Sequence, residues 1–171
     1  VRGHIAKNPL PEELPRRPEH IRPYIYSENE LRSLFRCALT YQKNRSTTYP
    51  ECVREILVLT YLLGLRIHET LGLKMDDIDL DNQIVTIDDS KFYKTRIEPF
   101  NDVVKQEIIT FLAWRRQVGM PDDADSPLFL NRKGLPMSLD SMHGIFRRIC
   151  VKAGIFRNDG AIYQPRLHDL R

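Results

Sequence analysis

The sequence has little of what cross-links a chain, binds a metal or spans a membrane. Its 171 residues include three cysteines, Cys37, Cys52 and Cys150. An odd count with no C-x-x-C pair argues against a disulfide framework and reads as thiols buried in a reducing cytoplasm. No run approaches the ~18 apolar residues of a membrane span, and no apolar stretch with a cleavage site follows the first residues. The expected location is cytoplasmic, with no membrane partner. The histidines, His4, His20, His68, His143 and His168, form no H-x-x-x-H or similar ligand pair, so no metal is expected. A glycine-rich loop followed by lysine is also missing, which removes the usual cradle for ATP. No cofactor is expected.

What is there points to one domain. With 42% hydrophobic residues, a chain of this length can bury one core of ordinary size. The net charge of +3 conceals an uneven distribution: residues 1–65 hold 10 basic and 7 acidic side chains, residues 66–130 hold 8 and 13, and residues 131–171 hold 8 and 3. A basic segment joined to an acidic one suits a polyanion held on one face, and equally suits a solvated basic surface.

Residues 9–23, PLPEELPRRPEHIRP, contain five prolines, which fix φ and remove donors repeatedly, so residues 1–26 read as an extended linker. The domain is expected over residues 27–171. A helix is predicted from about Glu28 to Gln42, because Ser27 and Glu30 have capping-box spacing and Leu31, Leu34, Phe35, Ala38 and Leu39 follow helical period. A second starts near Pro50 and runs through Val53, Ile56, Leu57 and Thr60 to Leu63, with Gly64 as a left-handed stop. LRIHETLGL is too short for an independent helix, and KMDDIDLDNQ favours turns. IVTID and RIEPF, on either side of DSKFYKT, read as a β-hairpin. Asn101 caps a helix from Val103 to about Gln117, with Val104, Ile108, Phe111 and Leu112 inward. Ser138 caps another from Leu139 to Ala153, closed by Gly154. The expected fold is mostly α with a small antiparallel β-sheet.

Four groups stand in special places: Arg66 just past a helix-ending glycine, Lys91 in the hairpin, and His168 with Arg171 at i, i+3. Each alone has a plainer explanation. Arg66 can simply pair with Glu69 at i+3, Lys91 and Lys94 can be solvated hairpin charges, and His168 can be a surface histidine. Arg66 nevertheless lies in the apolar run YLLGLRIHETLGL, where a guanidinium is partly buried and needs a partner. Glu69 can orient it there for a phosphate, whose oxygens its planar fork matches.

In order, GLRIHETLGLKMDDIDLDNQIVTI, SKFYKTRIEPF, LFLNRKGLPMSLDSMHGIFRRI and RLHDLR resemble the catalytic domain of tyrosine recombinases, the phage integrase family, over about Ser27 to Arg171. The resemblance implies that family's fold and a metal-free, ATP-free phosphoryl transfer on double-stranded DNA. An enzyme tyrosine attacks the phosphodiester, a 3′-phosphotyrosyl link forms and a 5′-hydroxyl leaves. Two arginines on the nonbridging oxygens do there what a metal does elsewhere. By position, Arg66 and Arg171 match those arginines and Lys91, rather than Lys94, matches the hairpin lysine that acts as general acid. His168 matches the histidine at the phosphate, and Glu69 orients the first arginine. Arg132, Lys133, Arg147 and Arg148 match the region that approaches DNA and are expected to contact backbone phosphates, although a solvated face suits Arg148 nearly as well.

In that family H-x-x-R is followed by a second His or Trp and then by the nucleophilic Tyr. This chain reaches neither, so it reads as a C-terminally incomplete fragment that binds DNA, self-associates on it and does not cleave it. Of the tyrosines present, Tyr61 reads as core and only Tyr163 approaches the site. Two other readings stay open: a noncatalytic DNA-binding module of the same fold, and a type IB topoisomerase-like enzyme.

Overall fold

The computed structural model describes residues 22–41, 46–90 and 94–171. Among these are five α-helices and one small sheet: α1 (Glu28–Thr40), α2 (Pro50–Leu62), α3 (Ile67–Gly72), α4 (Asp102–Gln117) and α5 (Leu139–Ala153). The strands are β1 (Ile78–Asp79), β2 (Ile84–Ser90) and β3 (Lys94–Pro99), and 3-10 turns span Met75–Asp77 and Leu167–Leu170. The mostly helical fold with a small antiparallel sheet agrees with the sequence reading.

Most of the helical elements pack on α2. Cys52, Val53 and Glu55 through Thr60 are all buried, and a helix apolar nearly all round belongs in an interior. α1, α3, α4 and the turn Leu167–Leu170 all pack against it, and α5 packs on α1 and α3. The caps are those the sequence offers. Ser27 and Glu30 form a reciprocal capping box on α1, and Pro50 opens α2. The Asn101 side chain accepts from Val104 N at 3.1 Å, and Ser138 Oγ from Ser141 N at 3.3 Å. Each bond satisfies an N–H that the first helical turn leaves open.

The sheet is an antiparallel meander in the order β1-β2-β3. Val85 lies opposite Glu98 and Ile87 opposite Arg96, with an irregularity in the register between Ile87 and Ser90. Val85 and Ile87 are buried, so their strand neighbours Glu98 and Arg96 share the inward face. The expected hairpin is therefore present, while β1 was hidden in a segment that reads as turns.

Other differences have simple causes. LRIHETLGL does form a helix, six residues long, because Ile67, Thr70 and Leu71 are buried and packing supplies what propensity cannot over so short a span. The first helix ends at Thr40 with Tyr41 as its C-cap. Leu39 is 45% and Tyr61 41% exposed, so neither belongs to the core. Cys52 and Cys150 are buried free thiols, and Cys37 is half-buried. Of the expected linker, residues 1–21 lie outside the described residues. Tyr24 and Tyr26 pack against the core, with Tyr26 Oη donating to the Arg166 carbonyl at 3.3 Å.

Candidate active site

Gly64, at φ 60°, lets the chain leave α2 in the left-handed region. Arg66 then takes the N-cap of α3 in extended conformation. Leu65 and Ile67 on either side are buried, which pins the backbone, while 38% of the Arg66 side chain stays exposed. One turn on, the Glu69 side chain is almost wholly buried. Its carboxylate accepts four N–H bonds. Arg66 Nη1 (2.9 Å) and Arg96 Nη1 (2.7 Å) bind Oε1, and Arg66 N (2.7 Å) and Arg96 Nη2 (2.8 Å) bind Oε2. The Arg96 fork, followed by the Arg66 backbone N–H and guanidinium, outweighs burial and holds the Glu69 carboxyl down at about 2. Glu69 is thus a fixed negative charge throughout the neutral range. Among the described residues, Arg66 Nε and Nη2 have no hydrogen-bond partner.

The same device recurs at the C-terminal turn. Arg166 donates its backbone N–H to Asp169 Oδ2 at 2.9 Å and Nη2 to Oδ1 at 2.8 Å, and the Asp169 side chain is only 2% exposed. Leu167 and Leu170 are buried and His168 and Arg171 exposed. The turn thus sends its apolar residues to the core and its proton-carrying and cationic groups outward. A 3-10 turn brings residues i and i+3 to one side, and His168 and Arg171 hold that spacing. α2 packs against both α3 and this turn, so the two arginine-bearing segments rest on a common helix. The His168 ring lies 6.2 Å, centroid to centroid, from that of His143 on α5. Both histidines, Arg147, Tyr163 and Pro165 line a groove of about 590 Å³.

The four basic residues of the third segment part company. Arg132 and Lys133 are exposed in a loop closed by a bridge between Leu130 and Pro136, with the Arg132 guanidinium 5.0 Å from the Tyr49 ring centroid. Arg147 is exposed beside the histidines. Arg148, by contrast, donates Nε to the Tyr41 hydroxyl and lies 5.4 Å from the centre of its ring, which ties it to the end of α1. Lys91 lies outside the described residues, and Lys94 opens β3. Among the described residues no group of His, Cys, Asp or Glu suits a metal, and no helix is long and apolar enough to cross a membrane.

Sequence reasoning missed Arg96, Arg166, Asp169 and His143. For three of them a signal was present. A basic residue followed three positions later by an acid occurs at Arg66/Glu69, Lys74/Asp77 and Arg166/Asp169, and in each the carboxylate accepts the backbone N–H of the basic residue. Arg96 occupies an inward position of a hairpin strand, where a charge must find a partner. His143 carries no local signal, since only the packing of α5 brings it to His168.

The model of the phage integrase family matches residues 26–171. The putative integrase/recombinase y4rB of Sinorhizobium fredii is 32% identical over 164 residues, covering 92% of this chain and 51% of that protein. The tyrosine recombinase XerC of Bacillus pumilus is 31% identical over 153 residues, 87% of this chain and 48% of that one. The chain spans about half the length of the curated relatives it matches. Among solved structures, XerA recombinase superposes with a TM-score of 0.65 at 24% identity over 91% of this chain and 49% of its own. The catalytic core of lambda integrase gives 0.60 at 15% over 87% and 78%. At these identities the structural likeness establishes the fold.

Proposed function

The chain belongs to the phage integrase family, and from that membership we propose that it is the catalytic domain of a site-specific recombinase, which breaks and rejoins double-stranded DNA through a 3′-phosphotyrosine intermediate. The observation that carries this reading is Arg66. Its guanidinium is anchored by one nitrogen to a buried, ionised Glu69, while Nε and Nη2 point to no protein partner among the described residues. A cation held so firmly and left half unsatisfied suits an anion from outside.

In the proposed reaction a tyrosine oxygen attacks phosphorus and the P–O5′ bond breaks. Arg66 and Arg171 carry the charge that builds on the nonbridging oxygens. Lys91 gives its proton to the leaving 5′-oxygen, and His168 binds the phosphate or takes the tyrosine's proton. Because the bond energy is kept in the phosphotyrosine, rejoining to a new 5′-hydroxyl needs no cofactor. By the family's order the attacking tyrosine comes after the H-x-x-R motif, here His168 to Arg171. Arg132, Lys133 and Arg147 serve as phosphate contacts, with Arg148 contributing least because Tyr41 engages it. Self-association on DNA and a cytoplasmic location belong to the same reading.

The test uses the intact protein that carries this domain and a nicked suicide DNA duplex. A covalent protein–DNA band on a denaturing gel is expected, lost in Arg66→Ala and Arg171→Ala. Lys91→Ala should regain cleavage on a 5′-bridging phosphorothiolate, whose thiolate leaves without a proton, and Arg66→Ala should not. No band from the wild-type protein on any target duplex would mean a noncatalytic DNA-binding module. A band with plasmid relaxation but no joining of two sites would mean a topoisomerase.

A further inference from the structure

Glu69 presents two carboxylate oxygens, and a single arginine could take both. Side-on pairing of a guanidinium with a carboxylate is the preferred geometry when nothing else competes. Arg66 does not adopt it, because Arg96 already does: the Arg96 fork spans Oε1 and Oε2 at 2.7 and 2.8 Å, leaving Arg66 one guanidinium bond, at 2.9 Å. Arg96 is itself fixed on its far side, where Nε donates to Glu98 Oε1 at 2.8 Å, two residues along β3. Packing cannot explain a charged pair on the inward face of this hairpin, where β2 contributes Val85 and Ile87.

We propose that Arg96 is a positioning residue for the phosphoryl transfer: by occupying both oxygens of Glu69 it holds Arg66 to one contact and keeps the rest of that guanidinium for the scissile phosphate. The proposal rests on the recombinase reading given above. Without Arg96, Glu69 turns its full carboxylate to Arg66. The guanidinium is drawn inward, two of its donors are consumed and its charge is neutralised at close range. Arg96 lies on β3, so the same ion pair also ties that strand to the carboxylate that holds Arg66.

The distinguishing feature of this role is a suppressor. A purely structural arginine would leave an Arg96→Gln protein that only worsens when Glu69 is changed as well. Here the harm in Arg96→Gln comes from the freed Glu69, so Glu69→Gln in the same chain should relieve it. In the intact recombinase, single-turnover formation of the covalent complex on nicked DNA is expected to fall about 10- to 100-fold in Arg96→Gln, the size of effect that follows a small misplacement of a catalytic group, with the Kd for DNA nearly unchanged. Arg96→Lys, which keeps charge without the fork, should fall between. The double variant Arg96→Gln/Glu69→Gln should recover about tenfold over Arg96→Gln. An Arg96→Gln rate within about threefold of wild type, or a double variant no faster than the single one, overturns the proposal. A second arm is independent of activity: a crystal structure of the Arg96→Gln chain should show both Arg66 Nη atoms on Glu69, and retention of a single contact overturns the proposal. Absence of any covalent complex from the wild-type protein, with Arg66 captured by Glu69 in that crystal, would instead indict the recombinase reading.

Discussion

Glu55 on α2 and Glu69 on α3 have side chains only 2% and 1% exposed, yet their carboxyls sit at opposite ends of the titration range. Glu69 is met by four donors. Glu55 has one, Arg54 Nη1 at 3.3 Å, and that arginine gives its fork to Glu107 at 2.7 and 3.2 Å. Glu55 Oε1 has no partner among the described residues. Burial, then the charge of Glu107, pushes the Glu55 carboxyl up to about 8, whereas Glu69 is held at about 2. Low exposure therefore does not by itself make a carboxyl neutral: burial raises Glu55 with little to oppose it, whereas at Glu69 four donors outweigh it. The site's charge is built by the second arrangement, and the first leaves a neutral acid at physiological pH.

Removing Glu69 tests the contrast most severely. Glu69→Ala leaves the part-exposed Arg66 without its carboxylate and Arg96 with Glu98 alone, and should cost about 2–3 kcal/mol, lowering Tm at pH 7 by about 5–10 °C. A depressed carboxyl stabilises above its unfolded value and loses that contribution as pH falls toward about 2. The deficit should therefore narrow in melts below pH 4. Glu69→Ala melting alongside wild type at neutral pH would refute the account.

Glu55 should behave with the opposite sign. A raised carboxyl favours the folded state at low pH, and this contribution is lost as pH climbs from its unfolded value toward about 8. Glu55→Gln should equal wild type near pH 5 and exceed it by about 2 kcal/mol at pH 8 in denaturant unfolding. Identical curves at the two pH values would show that Glu55 is ionised in the fold. The mildest change sharpens the comparison: Glu107→Gln removes one negative charge and releases Arg54 to Glu55, so the carboxyl should titrate lower. Carbon-13 NMR of the Glu55 side chain reads this directly, and a midpoint unmoved from wild type would mean that burial alone sets it. The net stability change should stay below about 1 kcal/mol.

Much of this architecture was written locally in the chain. Ser27 with Glu30, Asn101 and Ser138 mark helix ends through bonds that span three residues, Pro50, Gly64 and Gly154 through their own backbone angles, and all sit where the sequence placed them. The pairing of Arg66 with Glu69 was legible for the same reason. Arg96 could be read as an inward charge in need of a partner, but that the partner is Glu69 could not, because their bond joins residues 27 apart through a strand register that only the folded sheet defines. α3 escaped because burial of Ile67 and Leu71 outweighs its weak intrinsic tendency, and Tyr61 was assigned to the core from a helix whose C-terminal turn emerges at the surface. Of Arg147 and Arg148, the sequence already allowed a solvated face for Arg148 nearly as readily as a phosphate contact, without showing what would engage it. Tyr41, 107 residues before Arg148, distinguishes them.

The bonds that seat Tyr24 and Tyr26 also set an order of events during synthesis. Tyr26 waits for Arg166, 140 residues later, and the Arg22 carbonyl waits for Arg157 Nη1, 135 residues later. At ribosomal speed that interval is roughly 10 to 30 s, far longer than helices need to form. Tyr24 can bond Glu30 on α1 at once, but the Tyr26 hydroxyl and the Arg22 carbonyl gain these partners only after most of the body has been made, and so latch late. In arrested nascent chains, protease cutting at Tyr26 should persist until Arg166 has cleared the ribosome, and protection before that point would show that another contact holds it.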